Sequence, residues 1–92
     1  MAFHRDFEQL KAEFPEATEA TWHRHSNGGG WVQNTASVAK TAYVGPDALV
    51  FGNAQVHGYA LVSGNAMVFG DAWVSDDATV SGYATVSGNA RW

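Results

Sequence analysis

The chain has 92 residues, five Lys or Arg against nine Asp or Glu, a formal net charge of −4 and no cysteine. That length fits one domain, and the acidic balance argues against a basic groove for nucleic acid. The lack of thiols excludes a disulfide framework and thiol chemistry, and suits a reducing cytoplasm. No apolar run approaches the length of a membrane span, and the opening Met-Ala-Phe-His-Arg-Asp-Phe carries acid where a secretory leader would not. The location these features predict is cytoplasmic.

A helix is predicted over residues 5–14. Phe3, Phe7, Leu10 and Phe14 fall on one stripe, while Arg5, Glu8, Lys11 and Glu13 fall elsewhere. Pro15 ends it, because the residue before a proline is pushed out of the α region. So short a helix is not stable alone, so its stripe must lie on something. Residues 16–29 read as a polar connector, running through Trp22-His23-Arg24-His25 to Ser-Asn-Gly-Gly-Gly. His23 and His25, with His4, lack the fixed spacing of a known metal site. The glycine run lacks the lysine and the strand-to-helix context of a phosphate loop.

From Ala36 onward a six-residue unit recurs without insertion or deletion. Alanine stands at 36, 42, 48, 54, 60, 66, 72, 78, 84 and 90, and valine two places later from 38 to 86. Gly30-Trp31-Val32 extends the register one unit backwards. Alternate residues of an extended chain point the same way, so Ala-x-Val followed by a turn predicts a β-solenoid. The chain then divides into a helix and connector over 1–29 and a solenoid over 30–92. The turn usually carries Gly, followed often by Asn or Asp. Lys40, Pro46 and Asp76 break the glycine rule, and Gly45-Pro46-Asp47 must turn differently because proline cannot take a positive φ.

Units such as Ala48-Leu-Val-Phe-Gly-Asn53 and Ala60-Leu-Val-Ser-Gly-Asn65 resemble those of the hexapeptide-repeat, left-handed parallel β-helix superfamily, over about two-thirds of the chain. The resemblance implies an all-β solenoid of about three triangular coils, a left-handed parallel β-helix with a short N-terminal helix, in which residues eighteen apart stack. Asn53, Asp71 and Asn89 would then form a ladder up one edge. Trp92 would plug the last coil.

Stacking by eighteen sorts the outward positions into three faces. One presents Trp31, Gln33, Leu49, Phe51, Met67 and Phe69, and so much apolar surface is rarely left open. Its expected cover is the N-terminal helix, through Phe7, Leu10 and Phe14, or a second or third copy in a dimer or trimer. A foreign protein is the remaining candidate. The second face presents Tyr43, Leu61 and Ser63. The third is mostly polar, with Gln55, His57, Trp73, Ser75 and Arg91.

Many members of the superfamily transfer acyl groups from acyl-CoA with a histidine as general base, and others are zinc carbonic anhydrases. His57 alone among repeat residues could inherit the first role, whereas the anhydrase pattern needs three histidines. The regular coils leave no loop for a donor groove, so the expected function is a non-enzymatic protein–protein interaction module without cofactor or metal. In style the chain is similar to small phage- or prophage-encoded proteins, which implies an inhibitor that occludes a host complex, including a defence complex, in the host cytoplasm. The candidate contact residues are Phe51, Tyr59, Phe69, Trp73, Asp76 and Asp77, with a basic protein surface as partner and no direct contact with nucleic acid or membrane. The alternative is an acyltransferase using acyl-CoA with His57 as base.

Overall fold

A computed structural model describes residues 7–18 and 20–91. The readings of Phe3 and of Trp92 as a plug fall outside those residues. So do the side chains of Phe7, Gln9 and Glu13. Helix α1 runs over Phe7–Glu13, and Phe14 N–H still bonds back to Leu10 C=O at 2.8 Å before Pro15 turns the chain.

The repeat builds a parallel β-solenoid of about three turns. In each of the nine units that begin at Ala36 through Ala84, the outward residue and the valine form a two-residue strand. These strands are β3 (Ser37–Val38), β4 (Tyr43–Val44), β5 (Leu49–Val50), β6 (Gln55–Val56), β7 (Leu61–Val62), β8 (Met67–Val68), β9 (Trp73–Val74), β10 (Thr79–Val80) and β11 (Thr85–Val86). The first unit supplies β2 (Trp31–Gln33), and β1 (Trp22–Arg24) precedes it. Three sheets result, ordered β1-β2-β5-β8-β11, β4-β7-β10 and β3-β6-β9. The parallel registers pair Trp31 with Leu49, Leu49 with Met67, Gln55 with Trp73 and Leu61 with Thr79, so residues eighteen apart do stack.

Ala and Val fill the inside because three walls converge on one axis and larger side chains would not fit. Ala48, Val50, Ala54, Val56, Ala60, Val62, Ala66 and Val68 are fully buried. Each outward residue sends its N–H down the axis: Leu49 to Ala66 C=O at 3.1 Å, Gln55 to Ala72 at 2.9 Å and Leu61 to Ala78 at 2.9 Å. The ladder expected at the Asn53, Asp71 and Asn89 corner is made by backbone groups. Asn53 N–H meets Gly70 C=O at 2.9 Å and Asp71 N–H meets Gly88 C=O at 2.8 Å. In the first coil threonine hydroxyls take this role, Thr35 donating to Gly52 C=O and Thr41 to Gly58 C=O.

The connector is more ordered than its polar composition suggests. Trp22 is an apolar anchor, 3% exposed, and it draws β1 antiparallel onto β2, with Trp22 opposite Gln33 and Arg24 opposite Trp31. The following residues cross the top of the β4 sheet. Val44 N–H donates to Asn27 C=O at 3.0 Å and Gly30 N–H to Val44 C=O at 2.9 Å. His25 is buried there, its Nε2–H donating to Ala42 C=O at 2.8 Å. His23 lies outside on the strand, its Nδ1–H on Asn34 Oδ1 at 2.6 Å. The two histidines therefore face different ways and do not share a site.

The corners require left-handed backbone. Gly64 has φ +64°, and a Cβ there would stand 2.9 Å from both N and O of Gly82 in the coil below. Gly82 has φ +65° but open space around the same position. Gly64→Ala is therefore expected to cost clearly more than Gly82→Ala, which loses only the conformational term of about 1 kcal/mol. Urea denaturation of the two variants measures the difference.

Candidate binding surface

Two surfaces stand out on this frame, one covered by the chain itself and one open. The covered surface is the apolar face of the β2-β5-β8 sheet. Leu10 and Leu49 are fully buried in a second core with Ala17, Trp22 and Trp31, and Phe14, Phe51 and Met67 pack on its margin. Phe14 lies 4.9 Å from Phe51, edge to face, and 5.1 Å from Trp22. Phe51 in turn stacks on Phe69 at 4.8 Å with the rings 6° from parallel. The N-terminal segment thus acts as a strap across this face, and burying Trp31 and Leu49 needs no second copy. Each large side chain so removed from water contributes about 2 kcal/mol.

The strap is pinned by few polar bonds. Asn34 N–H donates to Thr21 C=O at 2.8 Å and Asn34 Nδ2 to Ala20 C=O at 2.6 Å. A half-open pocket of about 620 Å³ is lined by Phe14, Pro15, Glu16, Ala17, Thr21 and Trp22 of the N-terminal segment and by Gln33 of the solenoid.

The open surface runs from the β3-β6-β9 sheet around a corner to β7. Trp73 is 37% exposed on β9. The His57 ring leans on it at 5.9 Å, and the guanidinium of Arg91 sits 5.1 Å from its centroid. His57 is itself steadied by Gln55, its Nε2–H lying 3.0 Å from Oε1. Tyr59 stands off the next corner, 72% exposed, and Leu61 beyond it is 37% exposed. Directly below Tyr59 the chain reaches Asp76 and Asp77, both exposed, with Tyr59 N–H on Asp76 C=O at 2.8 Å.

Asp76 is the one described non-glycine residue with a positive φ, +56°. It occupies the corner position that Gly58 takes one coil above, and an L-residue with a Cβ is disfavoured there. The two other exceptions to the glycine rule, Lys40 and Pro46, avoid positive φ.

The residues singled out by sequence therefore split. Tyr59, Trp73, Asp76 and Asp77 share the open surface, whereas Phe51 and Phe69 belong to the covered face. Sequence reasoning placed Leu61 outward and His57 on the same face as Trp73, but counted neither among the contact residues and gave His57 only a catalytic role. It also gave no role to Trp22, whose large apolar side chain within a polar connector was the available signal. Tyr83, 86% exposed, stands on a different corner. Among the described residues no group of three His, Asp or Glu could hold a metal, and no helix is long and apolar enough to cross a membrane.

These features define a β-solenoid built from short repeats, with a helical strap across one face and an open aromatic and acidic ridge. A family model described as the YdcK beta solenoid repeat matches residues 60–76 and 72–88, from the last unit of the second coil onward, so these repeats are similar to that family's. No curated protein and no solved structure gives a significant match to the chain.

Two outcomes are expected of the surfaces. Leu10→Ala should release the strap at a local cost of about 2–5 kcal/mol, read as faster amide exchange in residues 10–17 with the coils unchanged. Asp76→Gly should raise stability by about 0.5–1 kcal/mol in urea denaturation, because glycine meets the positive φ without a Cβ.

Proposed function

We propose that the protein is a binding module that holds a protein partner on the ridge formed by Trp73, His57, Tyr59 and Leu61, flanked by Asp76 and Asp77. The single observation that carries this reading is Asp76. An acid stands in a left-handed corner where the repeat otherwise uses glycine, beside exposed aromatic side chains on a rigid sheet. Strained positions persist where function needs them, and removing the strain would be an easy gain in stability. Exposed Trp and Tyr are the side chains that most often anchor protein interfaces. The acids favour a partner that presents a basic surface at this point.

The finer form of the proposal is an inhibitory or accessory protein of the kind phages encode, acting by occlusion. The ridge would cover a basic, nucleic-acid-binding surface of a host protein complex. A prism without mobile loops suits this role, because little conformational freedom is lost when it docks.

The test compares tagged wild-type protein with Trp73→Glu, Asp76→Gly and the control Thr85→Glu in pull-downs from the native host, followed by affinity measurement on the captured protein. The proposal expects Trp73→Glu to lose a specific partner, Thr85→Glu to retain it, and Asp76→Gly to bind more weakly although it is more stable. Equal capture by all four proteins would overturn it. So would acyl-CoA turnover that disappears in His57→Ala.

A further inference from the structure

The run Ser26-Asn27-Gly28-Gly29-Gly30, which is no phosphate loop, has a defined place in the fold. His25 N–H donates to Gly30 C=O at 2.7 Å and Gly29 N–H to His25 C=O at 3.0 Å, closing the run into a loop. The loop lies on the upper edge of β4, where it answers both backbone groups of one residue. Val44 N–H donates to Asn27 C=O at 3.0 Å, and Val44 C=O accepts from Gly30 N–H at 2.9 Å. Without these partners β4 would carry unpaired groups along an open edge. Gly28, between the two bonds, has φ +110° and passes so close to Val44 that a Cβ would overlap the Val44 carbonyl oxygen. Space and conformation together impose glycine at this position.

That glycine follows an exposed asparagine whose side-chain amide makes no hydrogen bond with any described residue. The Gly28 N–H is likewise unspent among the described residues. The other asparagines differ on these points. Asn34 gives its side-chain oxygen to His23 and its nitrogen to Ala20. Asn65 and Asn89 precede Ala66 and Ala90, whose N–H groups are spent on Ser63 C=O at 3.3 Å and Ser87 C=O at 3.1 Å. Asn53 precedes Ala54, a fully buried residue whose Cβ crowds any approach to its nitrogen. Of the five asparagines, Asn27 alone combines an uncommitted amide with a free and unhindered nitrogen after it.

We propose that Asn27-Gly28 is a self-modification site at which the chain deamidates and so loosens its own cap on β4. Hydroxide takes the Gly28 N–H proton, the nitrogen bonds to Asn27 Cγ, and the side-chain nitrogen leaves as ammonia, closing an imide ring. Water then opens the ring at either carbonyl, so the net reaction consumes water and releases ammonia. Breaking the new N–Cγ bond gives Asp, with the main chain unchanged and one negative charge added. Breaking the original peptide bond gives isoaspartate, in which the main chain runs through Cγ and is longer by a methylene. The carbonyl that Val44 N–H uses then becomes part of a pendant carboxylate, and the added methylene displaces Gly28 from its seat on Val44. The site does not rest on the function proposed for the ridge.

The test incubates the whole folded chain at mildly alkaline pH and maps its peptides by mass spectrometry, which locates each side chain that has exchanged NH2 for OH. Enzymatic methylation of isoaspartyl carboxylates counts that product. Asn27 should react about tenfold faster than any other asparagine, because glycine offers no Cβ to the closing ring. Both Asp and isoaspartate should form. Ion exchange separates the products, and amide exchange by NMR then reads the cap. In the isoaspartyl chain the Val44 N–H should exchange about tenfold faster than in the unmodified chain, the mark of a local opening. Asn27→Asp, which adds the charge alone, should keep the protection. Asn27→Gln, whose amide would have to close a larger ring, should stay unmodified and keep it too. An Asn27 that reacts no faster than the other asparagines or only in urea, Asp as the sole product, or unchanged Val44 protection in the isoaspartyl chain would each overturn the proposal.

Discussion

Everything in this protein hangs on one repeated bond, the outward residue's N–H meeting a carbonyl seventeen residues further on. Because the offset never changes, each coil closes with the same length and each corner falls above the last. Strands of two residues would be worthless alone. Held three abreast on a shared core of Ala and Val, they make a prism in which each coil templates the next.

That regularity has two consequences for function. It removes loops, and with them the usual place for catalytic groups. It also fixes the outward positions relative to one another, so that residues far apart in sequence become neighbours without any special arrangement. His57 and Trp73 meet for this reason alone. The strap uses the same property, since Trp31, Leu49 and Met67 form a ready-made apolar column on which a short helix can settle. A seven-residue helix is too short to persist by itself, so its stability is the stability of that contact.

The repeat was legible down to the register, because period six and period two coincide in Ala-x-Val and leave no freedom of phase. Corner chemistry was legible only in part. Glycine announced the left-handed corners, but the sequence could not tell that Asp76 would accept the same φ while Lys40 and Pro46 would not. The connector hid its structure because one anchoring residue, Trp22, outweighs the polar residues around it, and its strand pairs with a segment it does not resemble. The candidate surface was half legible. Tyr59, Trp73, Asp76 and Asp77 emerge from listing outward positions, but whether Phe51 and Phe69 lie open depended on where the strap comes to rest. Packing decides that, and no local pattern encodes it.

The central claim is that three sheets of very short strands behave as one cooperative prism, which alone makes the ridge a rigid surface. Native-state amide exchange followed by NMR tests it most directly, at the N–H groups of Leu49, Gln55, Leu61 and Met67, which lie on three different sheets. The account predicts strong protection with a common opening free energy at all four, lost together as denaturant rises. Protection on one sheet with free exchange on the other two would contradict it.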